Sequence, residues 1–268
     1  MAPGEWRGLG LRIASALVLG PPVVIVLYLG PPSSDILILG LGGAAAWEWA
    51  RLCGRGAVDG AGWVAIGTVA AALATGALGH FAVAVWIMVA GAMAATVWAT
   101  RAGRTDPIWL GLGVVYIAAA CIAFLWLYRW PTPGSEVVLW LVAAVWGTDA
   151  GAYFAGRSIG GPRLAPSISP KKTWAGLGGG ALVAGIVGAV AAPWVWPGET
   201  AALVTLSVAL ALVAQVGDLF ESSLKRRFGF KDSSNLIPGH GGVLDRIDGL
   251  LAAVLLFGGV SWLTETSF

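Results

Sequence analysis

Charge is what this sequence has least of. Only 11% of its 268 residues are Asp, Glu, Lys or Arg, against about a quarter in a soluble globular domain. A chain so poor in charge cannot cover itself with polar surface, which excludes a water-soluble domain of this length. Cysteine is nearly missing as well. Cys53 and Cys121 fall in different apolar stretches, with no metal-ligand spacing and no disulfide framework, so both are expected as small packing residues. No strand-like alternation, low-complexity tail or internal repeat stands out. The weakly basic start, Met1 to Arg12, precedes an apolar run too long for a signal-peptide core, and no small-residue cleavage site follows it. That run is expected to stay as a first membrane helix.

What fills the space is apolar: 57% hydrophobic residues, 40 Gly and 15 Trp. Small residues let membrane helices approach closely, and Trp settles at bilayer interfaces. A spanning helix needs about 20 apolar residues. The sequence offers about nine such segments, at 11–30, 34–52, 60–78, 80–99, 108–129, 136–157, 175–196, 200–224 and 243–263. The expected fold is therefore an all-α, polytopic membrane helix bundle. We divide it into N-terminal helices (1–135) and a C-terminal region (136–268) bearing two long polar loops, 158–174 and 225–242. With a cytoplasmic N-terminus, 14 of the 16 basic residues fall on the cytoplasmic side, leaving Arg129 outside and Arg246 within the last helix. The positive-inside rule favours that orientation, with both loops cytoplasmic and Phe268 outside.

Acidic residues inside the predicted helices are few. Glu48, between Trp47 and Trp49, is expected as an interfacial carboxylate that reaches water or pairs with Arg51. Asp149, Asp218, Glu221, Asp245 and Asp248 all lie toward the predicted cytoplasmic side. A charge at mid-bilayer costs at least ~2.5–3.5 kcal/mol on insertion scales, so five carboxylates on one side indicate a polar cavity. Asp218, Glu221, Ser222 and Lys225 share one helix face, and Asp245 and Asp248 share another. Oxygen ligands crowded in this way suit a hard divalent cation such as Mg²⁺. The plainer alternative is salt bridging, Asp245 with Arg246 and Asp218 with Lys225.

The run Ser169-Pro170-Lys171-Lys172-Thr173 precedes the seventh helix and abuts the membrane. Phosphate groups or anionic lipids suit it better than nucleic acid. The following Gly176–Gly180 stretch has no strand before it, so it is read as helix packing and not as a dinucleotide fingerprint. The second loop carries more information. Asp218, Glu221, Ser222, Lys225 and Arg226 are followed by Lys231-Asp232, then His240-Gly241-Gly242, then Asp245-Arg246-Ile247-Asp248. This spacing closely resembles the signature of phosphatidate cytidylyltransferases, also called CDP-diacylglycerol synthases. The Ser169–Thr173 run and the segment from Asp149 to Tyr153 match the same family, so the resemblance covers about residues 140–255. One departure is visible: the family usually has Glu two residues after the Thr, where this chain has Ala175.

The resemblance implies that CTP and phosphatidic acid give CDP-diacylglycerol and pyrophosphate at the cytoplasmic face of a multi-pass cell (inner or plasma) membrane. It implies Mg²⁺ on Asp218 and Asp245, with Asp248 as a third group and room left for a second cation. Lys225 would join the catalytic set. Asp149, Ser169, Lys171, Lys172, Thr173, Ser222, Arg226, Lys231, Asp232, His240, Gly241, Gly242 and Arg246 would line the substrates. The lipid phosphate is itself the nucleophile, so no Ser or Cys is needed, and His240 is read as shaping its loop or contacting phosphate. A homodimer follows from family analogy alone. Two other readings stay open: a CTP-dependent polyprenol- or phytol-type lipid kinase, and an ion-coupled transporter.

Overall fold

The computed structural model describes residues 18, 20–129, 134–239 and 241–264. The first predicted helix is covered by α1 (Gly20–Leu29); residues 11–17 and 19, His240 and Phe268 lie outside the described part. The remaining helices are α2 (Ser33–Cys53), α3 (Gly60–Ala77), α4 (Phe81–Arg101), α5 (Ile108–Leu127), α6 (Gly134–Ser158), α7 (Trp174–Val195), α8 (Thr200–Arg227) and α9 (Leu244–Thr264). Among the described residues seven helices are long and apolar enough to cross a membrane, as expected of a polytopic bundle. Among the described residues, the strands β1 (Arg163–Ala165) and β2 (Ser169–Thr173) lie in the 158–174 loop. They form an antiparallel hairpin, with Arg163 opposite Thr173. Gly160 and Gly161, at φ of 68° and 97°, turn the chain from α6 into it.

The chain forms two compact units. One comprises residues 1–125 and 228–247, the other 126–227 and 248–268. Within the first, α4 buries Ala84, Met88, Ala92, Ala95 and Ala99, a stripe of helical period that packs on α3. Trp63, Trp86 and Trp98 stand exposed on the same two helices, as faces turned to lipid would. Trp49 of α2 is fully buried and donates to the Trp109 carbonyl at 2.7 Å, so its ring is apolar packing and its N–H is satisfied. At one end of the unit, Asp59 caps α3 by accepting from Gly62 N at 2.9 Å and receives Arg104 on both oxygens. Burial pushes the Asp59 carboxyl up, but Arg104 and the helix N–H groups outweigh it and hold the group below its ordinary range.

In the second unit α7 is the central helix, packed on both α6 and α8. Its buried face is Gly176, Gly180, Ala184, Gly188 and Ala192, small residues at every fourth position. A Cβ on Gly180 would stand 2.8 Å from the Thr148 carbonyl of α6, and one on Gly188 would stand 2.9 Å from the Leu203 carbonyl of α8. The glycine stretch is thus helix packing, as read from the sequence, and backbones meet where lipid supplies no hydrophobic drive.

The contacts described here join only segments assigned to one membrane side. Arg104 meets Asp59, and the end of α2 meets the start of α9. Cysteines placed at exposed Ser167 and Asn235 are therefore expected to react with a membrane-impermeant maleimide only from the cytoplasmic side. Buried Cys53 and Cys121 give little background. Labelling of either site from outside intact cells would reverse the orientation.

Candidate functional site

The hairpin serves to deliver Lys172. Strand β2 leaves Lys171 exposed, half-buries Lys172 and buries Thr173. Lys172 Nζ lies 2.5 Å from Asp218 Oδ2 on α8, with the two side chains 17% and 32% exposed. The other carboxylate oxygen of Asp218 accepts from Ser222 Oγ at 3.3 Å, one turn on. The same face of α8 carries a second ion pair, Lys225 with the fully buried Glu221 at 2.5 Å. The plainer alternative, salt bridging, is thus present on this face, with Lys172 as the partner of Asp218 and Glu221 as that of Lys225. The reason is reach: the hairpin brings a lysine to Asp218 from far along the chain, and Lys225 has a closer partner at i−4. Arg226, at the end of α8, is exposed.

Asp248 joins this group through backbone approach. Gly217, next to Asp218, packs so tightly on α9 that a Cβ there would lie 2.9 Å from the Asp248 carbonyl. Asp218, Asp149 and Lys225 are the charged side chains that bear on Asp248, whose Oδ1 accepts from Gly249 N at 2.7 Å. The second unit thus assembles Asp149, Lys172, Asp218, Ser222, Lys225 and Asp248, with Ser169 and Lys171 on the adjoining strand.

The first unit holds the rest of the signature. Lys231 and Asp232 are exposed, as is Arg246. The loop then closes with Ile237 N donating to the Gly241 carbonyl at 2.8 Å. Gly241 sits at φ of 84°, where a Cβ would also stand 2.8 Å from Asp245 Oδ2, so glycine is required twice over. Asp245 Oδ2 accepts from Gly242 N at 2.8 Å and from both Ser233 N and Ser233 Oγ at 3.0 Å. It reaches back over the start of α9 as a capping-box carboxylate does.

Sequence reasoning missed Glu48. Expected at the interface facing water or Arg51, it is fully buried. Its Oε1 accepts from Ser234 Oγ at 2.5 Å and Val243 N at 2.9 Å, and its Oε2 from Leu244 N at 2.6 Å and Ser233 Oγ at 3.0 Å. The signal that could have found it is a Glu in a tryptophan-flanked apolar run, a costly placement that demands donors. What periodicity could not supply was their address, some 185 residues on.

The donor chemistry bears on the implied metal. Among the described residues no three Asp, Glu, His or Cys side chains stand close enough for an all-protein cage. Asp218 and Asp248, half-exposed and oxygen-only, form the partial set that Mg²⁺ uses when substrate phosphates complete its octahedron. The residues fit such a cation and do not enclose it.

Known proteins identify the family. The sequence model of the cytidylyltransferase family matches residues 10–263. The chain belongs to that family. It is 38% identical over 259 residues to the phosphatidate cytidylyltransferase of Brucella suis, covering 92% of this chain and 91% of that protein. It is similar to the enzyme of the same name from Pseudomonas aeruginosa, at 38% over 263 residues and 94% and 96% coverage. The Bacillus subtilis enzyme of that name matches at 36% over 147 residues, about half of each chain. Within this cytidylyltransferase, Ala175 leaves the first turn of α7 without an acidic residue. The cap falls to Thr173, whose Oγ1 accepts from Gly176 N at 3.0 Å. Thr173→Ala is expected to destabilise the protein by about 1 kcal/mol, read as a lowered melting temperature in detergent, whereas Thr173→Ser should melt close to the parent.

Proposed function

We infer that this chain transfers the cytidylyl group of CTP to phosphatidic acid, releasing pyrophosphate and forming CDP-diacylglycerol. The observation that carries the reading is the Lys172–Asp218 pair, which joins two signature segments far apart in sequence at one polar point of a membrane helix bundle. The family membership and the printed names of the relatives agree with it. The membrane in question is the bacterial inner membrane, with the site opening to the cytoplasm, where CTP is found.

The lipid phosphate oxygen attacks the α-phosphorus of CTP. One P–O bond forms, the α–β anhydride bond breaks, and the electron pair leaves on pyrophosphate. The nucleophile is already anionic, so no general base is needed. What the chain must do is bring two anions together in line and offset charge on the leaving group. Lys172 holds Asp218 in one orientation and is placed to exchange toward a phosphate oxygen. Lys225, bound to Glu221, keeps a positive charge beside the carboxylates, and Lys171 gives the lipid or nucleotide phosphate an exposed partner. Ser222 orients Asp218. Asp218 and Asp248 would hold Mg²⁺, and Asp245 joins them by resemblance, as do a second cation and a homodimer. When bound, Mg²⁺ neutralises triphosphate charge.

CTP labelled at the α-phosphate, incubated with the purified protein and phosphatidic acid, is expected to yield labelled lipid. Label passing instead from the γ-phosphate to a lipid alcohol would favour a kinase, and no transfer of either label would remove the enzyme reading. Asp218→Asn should lower kcat by ~10²–10³ in protein that still elutes as a monodisperse species. The two lysines should separate. Lys172→Ala, which also strips Asp218 of its counter-ion, is expected to reduce kcat/KM for CTP by at least about tenfold, and Lys171→Ala by much less. Equal effects would detach the Lys172–Asp218 pair from turnover.

A further inference from the structure

One serine is gripped from three sides. Ser233, fully buried, accepts on its carbonyl from Arg51 Nη2 at 2.9 Å, and its hydroxyl lies 3.0 Å from Glu48 Oε2. Its own N–H and hydroxyl lie 3.0 Å from Asp245 Oδ2. Arg51 and Glu48 stand three apart on α2 and so share a face. The guanidinium of Arg51 is itself held between the rings of Trp47 and Phe230, at 5.9 and 5.5 Å. Glu48 also takes the two free N–H groups at the head of α9, Val243 and Leu244. A Cβ on Gly242 would collide with Ser233 Oγ and stand 2.5 Å from Glu48 Oε1, so the grip closes around a glycine of the signature. Glu48 and Arg51 both end on the segment that orients Asp245.

We propose that Glu48, with Arg51, is a positioning residue of the catalytic signature: through Ser233 it fixes the rotamer of Asp245 and the start of α9. Helix α2, which lies upstream of the signature, then has a defined task in turnover. The inference rests on the cytidylyltransferase reading of the site. A purely structural role would be felt in stability alone. A positioning role is felt in kcat, because a reacting group misplaced by about 1 Å costs on the order of 10²-fold.

Two serines on the same carboxylate tell these apart. Ser233 touches both Glu48 and Asp245, whereas Ser234 touches Glu48 and Leu236 N. Kinetics and melting curves are measured on the full-length protein in detergent, with CTP and phosphatidic acid. Ser233→Ala is expected to lower kcat by about tenfold or more, with KM for CTP changed by less than about threefold. Ser234→Ala is expected to lower the melting temperature to a similar extent while kcat stays within about threefold of the parent. Glu48→Gln, which keeps the shape and gives up one acceptor, should follow Ser233→Ala. If it does not fold, the serine pair decides. Equal kcat for the two serine variants, or a loss of melting temperature with kcat intact in both, would overturn the proposal. An inactive parent protein would instead overturn the functional reading, so the two failures are distinct.

Discussion

A carboxylate withdrawn from water has to be met by donors, and in a chain with so little charge those donors are scarce. Much of the polar architecture here follows from that constraint. Glu48 is met by the Ser234 hydroxyl and two helix-start amides, Asp218 by a lysine and a serine, Glu221 by a lysine one turn away, and Asp245 by the Ser233 and Gly242 amides, with the one proton of the Ser233 hydroxyl shared between Glu48 and Asp245. In each unit some of these partners come from loops: Lys172 from the hairpin, and Ser233 and Ser234 from the signature loop. The cost of burying charge is what ties the hairpin 163–173 to α8 and the signature loop to α2.

The two kinds of satisfaction have different chemical value. Ion pairs such as Lys172–Asp218 are exchangeable, since a phosphate can take the lysine and a cation can take the carboxylate. The cluster around Glu48 is saturated, with backbone N–H groups among its donors that no ligand can displace. A nucleotidyl-transfer site needs both: groups that let go of each other when substrate arrives, and a frame that does not. The glycine face of α7 contributes to the frame in another way, by letting α6 and α8 approach to backbone contact so that the carboxylates they carry stay near one another.

Most of the architecture was legible in the sequence because hydrophobic run length is a strong signal in a membrane chain. The segment read at 60–78 is a helix at Gly60–Ala77, and that at 200–224 extends to Arg227, where arginines and lysines complement the helix C-terminus. The signature motif named the family, which the whole-chain match bears out. The hairpin was not legible: three- and five-residue strands around a proline carry no alternation to detect. Nor were the pairings. Which lysine meets Asp218 depends on how a loop closes in space, and the i, i+7 spacing of Asp218 and Lys225 shows only that they share a helix face. Glu48 was misjudged because a local view offered Arg51 and water, and the true donors lie on the far side of the sequence.

That separation has a consequence for biosynthesis. Each unit is completed by residues near the C-terminus, 228–247 for one and 248–268 for the other. Glu48 enters the bilayer with α2, yet its nearest serine partner is made 185 residues later. At bacterial elongation rates of roughly 5–20 residues per second, that is an interval of about 10–40 s. Throughout it the nascent protein holds a tryptophan-flanked acid in or near the membrane with its final donors not yet synthesised. The bonding of Glu48 therefore cannot be completed while the ribosome is still upstream of Ser233.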